Sequence, residues 1–345
     1  MFPRALVLLF PLVAAIGLWY GGPAVWLFPL VTFGFVPAAE LMLRPNRENL
    51  ADESEARQSR GFDLLVMSCV PLLWGLVALF LVRFDDYKGH ELVGAVLTLG
   101  IACGTFGINV GHELGHRRGT FQQHFAKLAL MASVYVHFFI EHNRGHHSKV
   151  STPEDPVYSP RGTSVYRHWL RAVPGTWIEA WRLEEERLQK KGRSPWTWDN
   201  EHIRLQVAQL GLIGLIAALA GPAATLGWLA AGAVGFLLLE TVNYVEHYGL
   251  QRRKLETGRY ERVAPIHSWN SDHPVGRVLL FELTRHSDHH ANPGRPYQVL
   301  RSFPEAPQFP TGYPGMVLLA TVPPLFYRVM HPRLARSESD LAQAR

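Results

Sequence analysis

Long apolar stretches without any cationic residue alternate along the chain with short, strongly basic segments. No Lys or Arg occurs in 5–43, 61–82, 89–116 or 205–251. Within these windows six apolar runs stand out, at about 5–20, 23–43, 62–82, 92–111, 204–220 and 223–242. A helix rises ~1.5 Å per residue, so roughly 20 residues cross the ~30 Å hydrocarbon layer. The runs predict six transmembrane helices, the first and fifth being short. Tyr20-Gly21-Gly22-Pro23 and Ala220-Gly221-Pro222 predict tight turns, pairing the first two and the last two runs as hairpins. Arg4 ahead of the first run has the look of a secretory signal, but a second run follows at once with no small-residue cleavage site between them. Two polar blocks remain, 112–203 and 243–345, and the whole chain reads as a single all-α integral membrane domain. Apolar 125–140, interrupted by His137, reads as a helix at the membrane face, and 313–330, with Pro323-Pro324, as an interfacial segment. Ser337 to Arg345 reads as a loose tail.

Charge orients this arrangement. Six crossings put both termini, 44–61, 112–203 and everything after 242 on one side, and that side holds every Lys and Arg except Arg83 and Lys88. The short loop 44–61 alone carries Arg44, Arg47, Arg57 and Arg60. Basic loops stay in the cytoplasm, so both termini are expected there. Of 345 residues, 48% are apolar and 18% charged, against roughly 25% charged in soluble domains, which excludes a simple soluble enzyme and a disordered chain alike. The pI near 9.3 follows from the one-sided basic residues and needs no nucleic acid. Such a face suits an acidic protein or anionic lipid, and Arg252-Arg253-Lys254 and Arg117-Arg118 are the places expected to dock one. Glu184-Glu185-Glu186 with Arg182 and Arg187 reads as a solvated helix face.

Histidine changes the picture further. There are 17, roughly twice the usual share, and they cluster. His112-Glu-Leu-Gly-His116 ends the fourth run. Glu141-His142-Asn-Arg-Gly-His146-His147 follows 125–140. Asn243-Tyr-Val-Glu246-His247-Tyr-Gly249 ends the sixth run, and Arg285-His286-Ser-Asp288-His289-His290 lies in the last block. All four fall on the face already assigned from charge. On a helix, residues three or four apart share a face, so His112/His116, His142/His146 and His286/His289/His290 can each aim imidazoles at one point. Adjacent His146-His147 and His289-His290 diverge by about 100°, so one of each pair can serve a second metal. Nine imidazoles exceed the needs of one ion, and two metals are the natural count. With only Cys69 and Cys103, both inside apolar runs, the ligands are nitrogen and oxygen, and imidazole alone does not choose among Zn, Cu, Fe and Ni. Glu113, Glu141, Asp155, Glu240, Glu246 and Asp288 are candidates to receive the other imidazole N–H, the alternative being that they cap helices or pair with Arg144 and Arg285. His112-Glu113-x-x-His116 also matches the zinc-protease signature, but one zinc leaves at least five clustered histidines without a role.

These boxes closely resemble the membrane-bound alkane hydroxylases (alkane 1-monooxygenases), within the wider superfamily of histidine-rich membrane di-iron hydroxylases and fatty-acid desaturases. The resemblance runs from the fourth run to about Pro332. It includes the three histidine boxes, Asn-Tyr-x-Glu-His-Tyr-Gly at 243–249, Thr152-Pro-Glu-Asp-Pro156 and His267-Ser-Trp-Asn-Ser271. Desaturases share the boxes but not the His-Tyr-Gly element, and xylene-type methyl hydroxylases are nearer relatives. The resemblance implies two non-haem iron ions held by His112, His116, His142, His146, His147, His247, His286, His289 and His290. It brings in His247, which stands alone in sequence. It also implies a rubredoxin-dependent monooxygenase that uses O2 to convert the terminal methyl of an alkane to a primary alcohol, in a bacterial cytoplasmic (inner) membrane. No rubredoxin-like cysteine module follows in this sequence, so the donor is expected to be a separate rubredoxin, itself reduced by a rubredoxin reductase. The bilayer delivers the hydrophobic substrate through a greasy tunnel, and no nucleic acid is involved.

Two other readings stand beside it. A related di-iron hydroxylase or desaturase would act on an aromatic methyl group or an acyl chain. A membrane metal transporter or sensor would place its ligands near the bilayer midplane in repeated broken helices, whereas these gather at one face without a repeat. His90, His124, His137, His168, His202, His267, His273 and His331 are taken as structural or solvated, with His137 the nearest to the site. Trp19, Trp26 and Trp74 read as interfacial or packing residues rather than tunnel walls.

Overall fold

The computed structural model describes residues 2–343, and the described chain is helical, with isolated β-bridges at Lys254–Tyr260 and Asn270–Gln308 as its only extended pairings. The principal helices are α1 (Leu6–Tyr20), α2 (Gly22–Met42), α3 (Arg60–Val82), α4 (His90–Gly115), α5 (Thr120–Ala132), α6 (138–149), α7 (Val165–Gln189), α8 (201–220), α9 (222–247), α10 (Pro274–Leu279), α11 (His286–Ala291), α12 (Tyr313–Ala320) and α13 (Pro323–Gln343). Four helical stretches are long and apolar enough to cross a membrane: α2, α3, α4 and the combined Glu201–His247. Helix α1 is apolar but shorter.

Residues 201–247 form one helical stretch broken at Gly221, whose φ of 82° and ψ of 165° are open mainly to glycine. Gln209 Nε2 donates to the Met131 carbonyl (3.4 Å) and Trp228 Nε1 to the neighbouring Ala132 carbonyl (2.8 Å). On a straight helix these two side chains would start about 28 Å apart, beyond their combined reach. The chain therefore doubles back at Gly221, as Ala220-Gly221-Pro222 predicts.

Small residues let α4 and α9 touch backbone to backbone. A Cβ on Gly100 would stand 2.9 Å from the Ala231 carbonyl oxygen, and one on Gly235 would stand 3.1 Å from the Gly104 nitrogen. Small residues four apart on both helices are how membrane helices approach without a hydrophobic driving force. The close crossing brings the ends of α4 and α9 together, and with them His112, His116 and His247.

The apolar segment 125–140 is not one helix. It breaks at 133–137, where Val134 has a φ of 57°. Ser133 fits against Gly107 and donates to the Cys103 carbonyl (2.9 Å), so packing on α4 overrides the continuous apolar pattern. The expected loose tail is helical from Ser337 to Gln343 within α13, while Ala344 and Arg345 lie outside the described residues.

Candidate metal centre

Each histidine box owes its position to a different local device. Helix α4 continues past its apolar run, so His112 lies in its last full turn and His116 caps it. In α6 the turn His142–His146 is π-helical. That wider turn brings positions five apart onto one side, and His142 Nε2 faces His147 Nε2 at 2.9 Å. His247 is the final residue of α9. The short helix α11 follows Phe281 and Glu282, both at positive φ, a strain that persists only where surroundings enforce it. Arg285 supplies that enforcement: buried, it reaches Asp272 (3.1 Å) and the carbonyls of Glu48 (2.9 Å) and Leu300 (2.8 Å).

The nine box histidines form two adjoining groups. His112, His116, His142, His147 and His289 make one, and His146, His247, His286 and His290 the other; within each, the ligand atoms lie within 4.8 Å of one another. Adjacent His146 and His147 go to different groups, as do His289 and His290, in keeping with their divergence on a helix. His142 and His146, four apart, also separate, contrary to the expectation that they share one point. The π-turn is the reason.

The nitrogen spacings fit metal ions. Two ligands at right angles on an ion with ~2.1 Å bonds sit about 3.0 Å apart. The Nε2 atoms of His112 and His289 are 2.7 Å apart, His147 and His116 3.1 Å, His147 and His289 3.2 Å, His146 and His290 3.3 Å, and His290 and His286 2.7 Å. His247 Nε2 is buried without a hydrogen-bond partner, as an open ligand position would be. Burial first, and neighbouring imidazoles second, hold His142, His147, His286, His289 and His290 well below the usual imidazole range. Burial also lowers His116 to about 4. These rings are neutral at neutral pH, the form that binds metal.

The carboxylates divide by partner. Asp155 lies 2.8 Å from His146 Nδ1. Burial alone would raise its carboxyl, but the His146 imidazole outweighs that and holds it below the usual range, so it stays an anion able to accept the ring N–H. Glu246 departs from that expectation: its Oε2 is 3.2 Å from His286 Nε2, the nitrogen that faces His290, and not from the ring's other nitrogen, while its second oxygen accepts from the Tyr313 hydroxyl at 2.7 Å. The rest face elsewhere. Glu113 pairs with Arg117, Glu240 accepts from Tyr135, and Asp288 accepts from Asn292 and the Arg301 backbone, while Glu141 is buried with Oε1 unpartnered.

Tyr313 carries no local sequence signal for this role, because only folding brings it across 67 positions to Glu246. Glu184 departs from the solvated-face reading: its side chain is fully buried and binds Arg144, Arg187 and the Glu201 backbone N–H. Arg144 belongs to the second histidine box, so Glu184 fastens α6 to α7. His137 stays out of both groups and packs edge-on against Tyr135. His168 is a buried bridge between Ser159 (2.7 Å) and Glu240 (3.4 Å).

An apolar cavity of about 840 Å³, counted with its open side, ends on this centre. Its walls include Phe33, Ile101, Leu238, Leu283 and Val317, and its polar end is made by His112, His142, His286, Glu246 and Tyr313. It thus touches histidines of both groups.

Paired imidazole groups at the ends of membrane-type helices, closing an apolar cavity, define the class of histidine-box membrane hydroxylases and desaturases, and residues 91–320 match the fatty acid desaturase family. Within that class the chain is 41% identical to the alkane 1-monooxygenase of Ectopseudomonas oleovorans, over 94% of this chain and 83% of the relative. It is 39% identical to the alkane 1-monooxygenase of Pseudomonas putida, over 96% and 85%. Similarity to the xylene/toluene monooxygenase hydroxylase component of Pseudomonas putida is lower, 31% over 93% and 86%. The chain belongs to the alkane 1-monooxygenase family.

Proposed function

We propose that this protein oxidises the terminal methyl of an alkane to a primary alcohol with O2. The observation that carries the reading is the apolar cavity ending on imidazoles of both histidine groups. Two non-haem iron ions, held by five and four histidines, would supply the O2 activation. An alkane offers no hydrogen-bond handle, so burial of its chain against Phe33, Ile101 and Leu238 is the binding force, at ~25 cal/mol per Å². The same walls keep water from the reacting end. Asp155 orients the His146 ring, and Tyr313 holds the Glu246 carboxylate beside His286.

Six crossings of the bacterial inner membrane, with both termini and the histidines on the cytoplasmic side, accord with the one-sided Lys and Arg and with the reversal at Gly221. Rubredoxin is the electron donor in this reading. Seven of the nine box histidines are buried, while His116 and His147 are half-buried and so mark where electrons enter. Arg117 and Arg118 follow His116, and Arg252 donates to the Ser148 carbonyl beside His147 (3.0 Å), so both basic stretches border this window. A basic rim favours docking of an acidic protein.

The test is product analysis by gas chromatography with octane, xylene and a fatty acid, driven by rubredoxin and its reductase. 1-Octanol as the main product supports the proposal. A methyl-oxidised xylene or an unsaturated acid without 1-octanol would replace it with one of the neighbouring activities, and absence of substrate-dependent O2 uptake would point to a metal-handling protein.

Phe33, Ile101 and Leu238 also line a second groove, formed with Trp26, Leu30 and Val234, and so stand between it and the cavity. Phe33→Ala is expected to join the two spaces. Competition between octane and a 14- to 16-carbon alkane should shift at least several-fold toward the longer chain, and an unchanged ratio would show that Phe33 is not the partition.

A further inference from the structure

Helix α7 lies in the polar block 112–203, yet it exposes a run of large apolar side chains. Leu170 is 81% exposed, Tyr166 47% and Trp177 43%, and in the loop that follows Trp196 is 76% and Trp198 64% exposed. Contiguous apolar surface of this kind marks an interaction site. At 100° per residue, Tyr166, Leu170, Trp177 and Trp181 fall along one flank of the exposed face, and Arg167, Arg171 and Arg182, with Ile178 among them, along the opposite flank. Rings of Trp181 and Trp196 are 4.6 Å apart, so the loop tryptophans extend the aromatic flank.

The contacts of α7 set its direction. Trp169 Nε1 donates to Thr241 Oγ1 near the end of α9 (3.1 Å). Two turns further on, Trp177 packs on the ring of His202 at the start of α8, with centroids 4.9 Å apart. Residues 202 and 241 are equally far from the reversal at Gly221 to within one residue, so they stand at the same level of the α8–α9 hairpin. A helix joining them runs along that level and not through it. Trp177 and Trp181 of the aromatic flank both lie against His202, so this flank is turned toward the start of α8.

We propose that α7 and the Trp196–Trp198 loop lie in the plane of the bilayer surface as an interfacial anchor. The aromatic flank sinks into the boundary between headgroups and acyl chains, and the arginine flank meets the phosphates. The occupant is the phospholipid bilayer that α8 and α9 cross, so the proposal rests on reading that hairpin as membrane-spanning. Tryptophan and tyrosine favour this layer because their rings are apolar with one polar edge, and arginine reaches the phosphates with its stem still buried. Buried positions of the same helix hold the second histidine box, through Glu184 on Arg144 near its C-terminal end, Glu179 on Lys149 and Thr176 on Tyr135. The anchor thereby ties the level of the metal centre to the membrane surface.

The test is spin-label accessibility in the full chain, reconstituted in phosphatidylcholine nanodiscs. Cys69 and Cys103 are buried, so a nitroxide attaches to the introduced cysteine. Leu170→Cys reports on the aromatic flank, Glu186→Cys on the water side of the same helix, and Leu215→Cys on α8 between its midpoint and the turn at Gly221. Collision with O2, which partitions into lipid, is expected to exceed collision with a water-soluble nickel chelate several-fold at 170 and 215, with the reverse at 186. A label at 170 as open to nickel as that at 186, while 215 stays protected, overturns the anchor and leaves the crossing intact. Nickel access at 215 overturns the membrane-spanning hairpin and the anchor with it.

Discussion

His146→Ala is expected to abolish alcohol formation and to remove close to one bound iron per chain, while His289→Ala abolishes turnover with a smaller loss of metal. The difference follows from ligand number. His146 is one of four imidazoles in its group, so its loss leaves three. His289 is one of five, and its loss leaves four. Removing even an outer hydrogen-bond partner of a metal ligand costs roughly 10–100-fold in affinity, and loss of a ligand itself costs more. Elemental analysis of the purified variants, beside product analysis on octane, checks this. Equal metal loss in the two variants would contradict the division into five and four, and full activity of an iron-depleted variant would contradict an iron-dependent reaction altogether.

Glu184→Ala is expected to loosen the second histidine box without touching a ligand. Burial pushes the Glu184 carboxyl up, but hydrogen bonds from Arg187, the Glu201 N–H and Arg144 outweigh it and bring it down to about 2. At ~1.4 kcal/mol per tenfold change in proton affinity, a carboxyl held this low contributes at most ~3.5 kcal/mol, and about 2 kcal/mol after allowing for the partly exposed arginines. Because the folded value is the lower one, this stability is present above the ordinary carboxylate range and lost as pH falls from about 4.5 toward 2. The variant should unfold at lower temperature, retain less iron, and lose this part of the acid sensitivity. Calorimetry between pH 7 and 2.5, with metal analysis at neutral pH, is the measurement. Wild-type iron content in Glu184→Ala would show that Arg144 holds α6 in place without its clamp.

Much of the candidate metal site can be read from the chain because its histidines come in short, regular blocks. His112 and His116, or His286 and His290, need only a helical turn to point together, and that is a local property. The boundaries of α4 and α9 carry the same lesson: both helices run past their apolar cores to include His112 and His247, since a helix ends where its backbone bonding ends and not where hydropathy does. Other features had no local trace. Glu184 sits in an acidic run that any exposed helix would tolerate, and only the arrival of Arg144 from α6 makes it a buried clamp. The apolar pattern of 125–140 favours one helix, and Ser133 packing on Gly107 forces two. The amphipathic flank of α7 is present in the residues, yet its meaning depends on the hairpin ends it rests on.

Sequence alone determined that the chain is a helical membrane protein, that eight clustered histidines, joined by His247 through the family resemblance, are the candidates for a metal centre, and that Gly221 marks a reversal. Those are matters of hydropathy, spacing and backbone freedom, which act over a few residues. The division of imidazoles into groups of five and four, the carboxylates that support them, and the cavity meeting both groups were decided by tertiary structure. A π-turn in α6 sends His142 and His146 apart, and packing brings α4, α9 and α11 together from distant parts of the chain. Which nitrogen faces which is set by those contacts, and no spacing rule contains them.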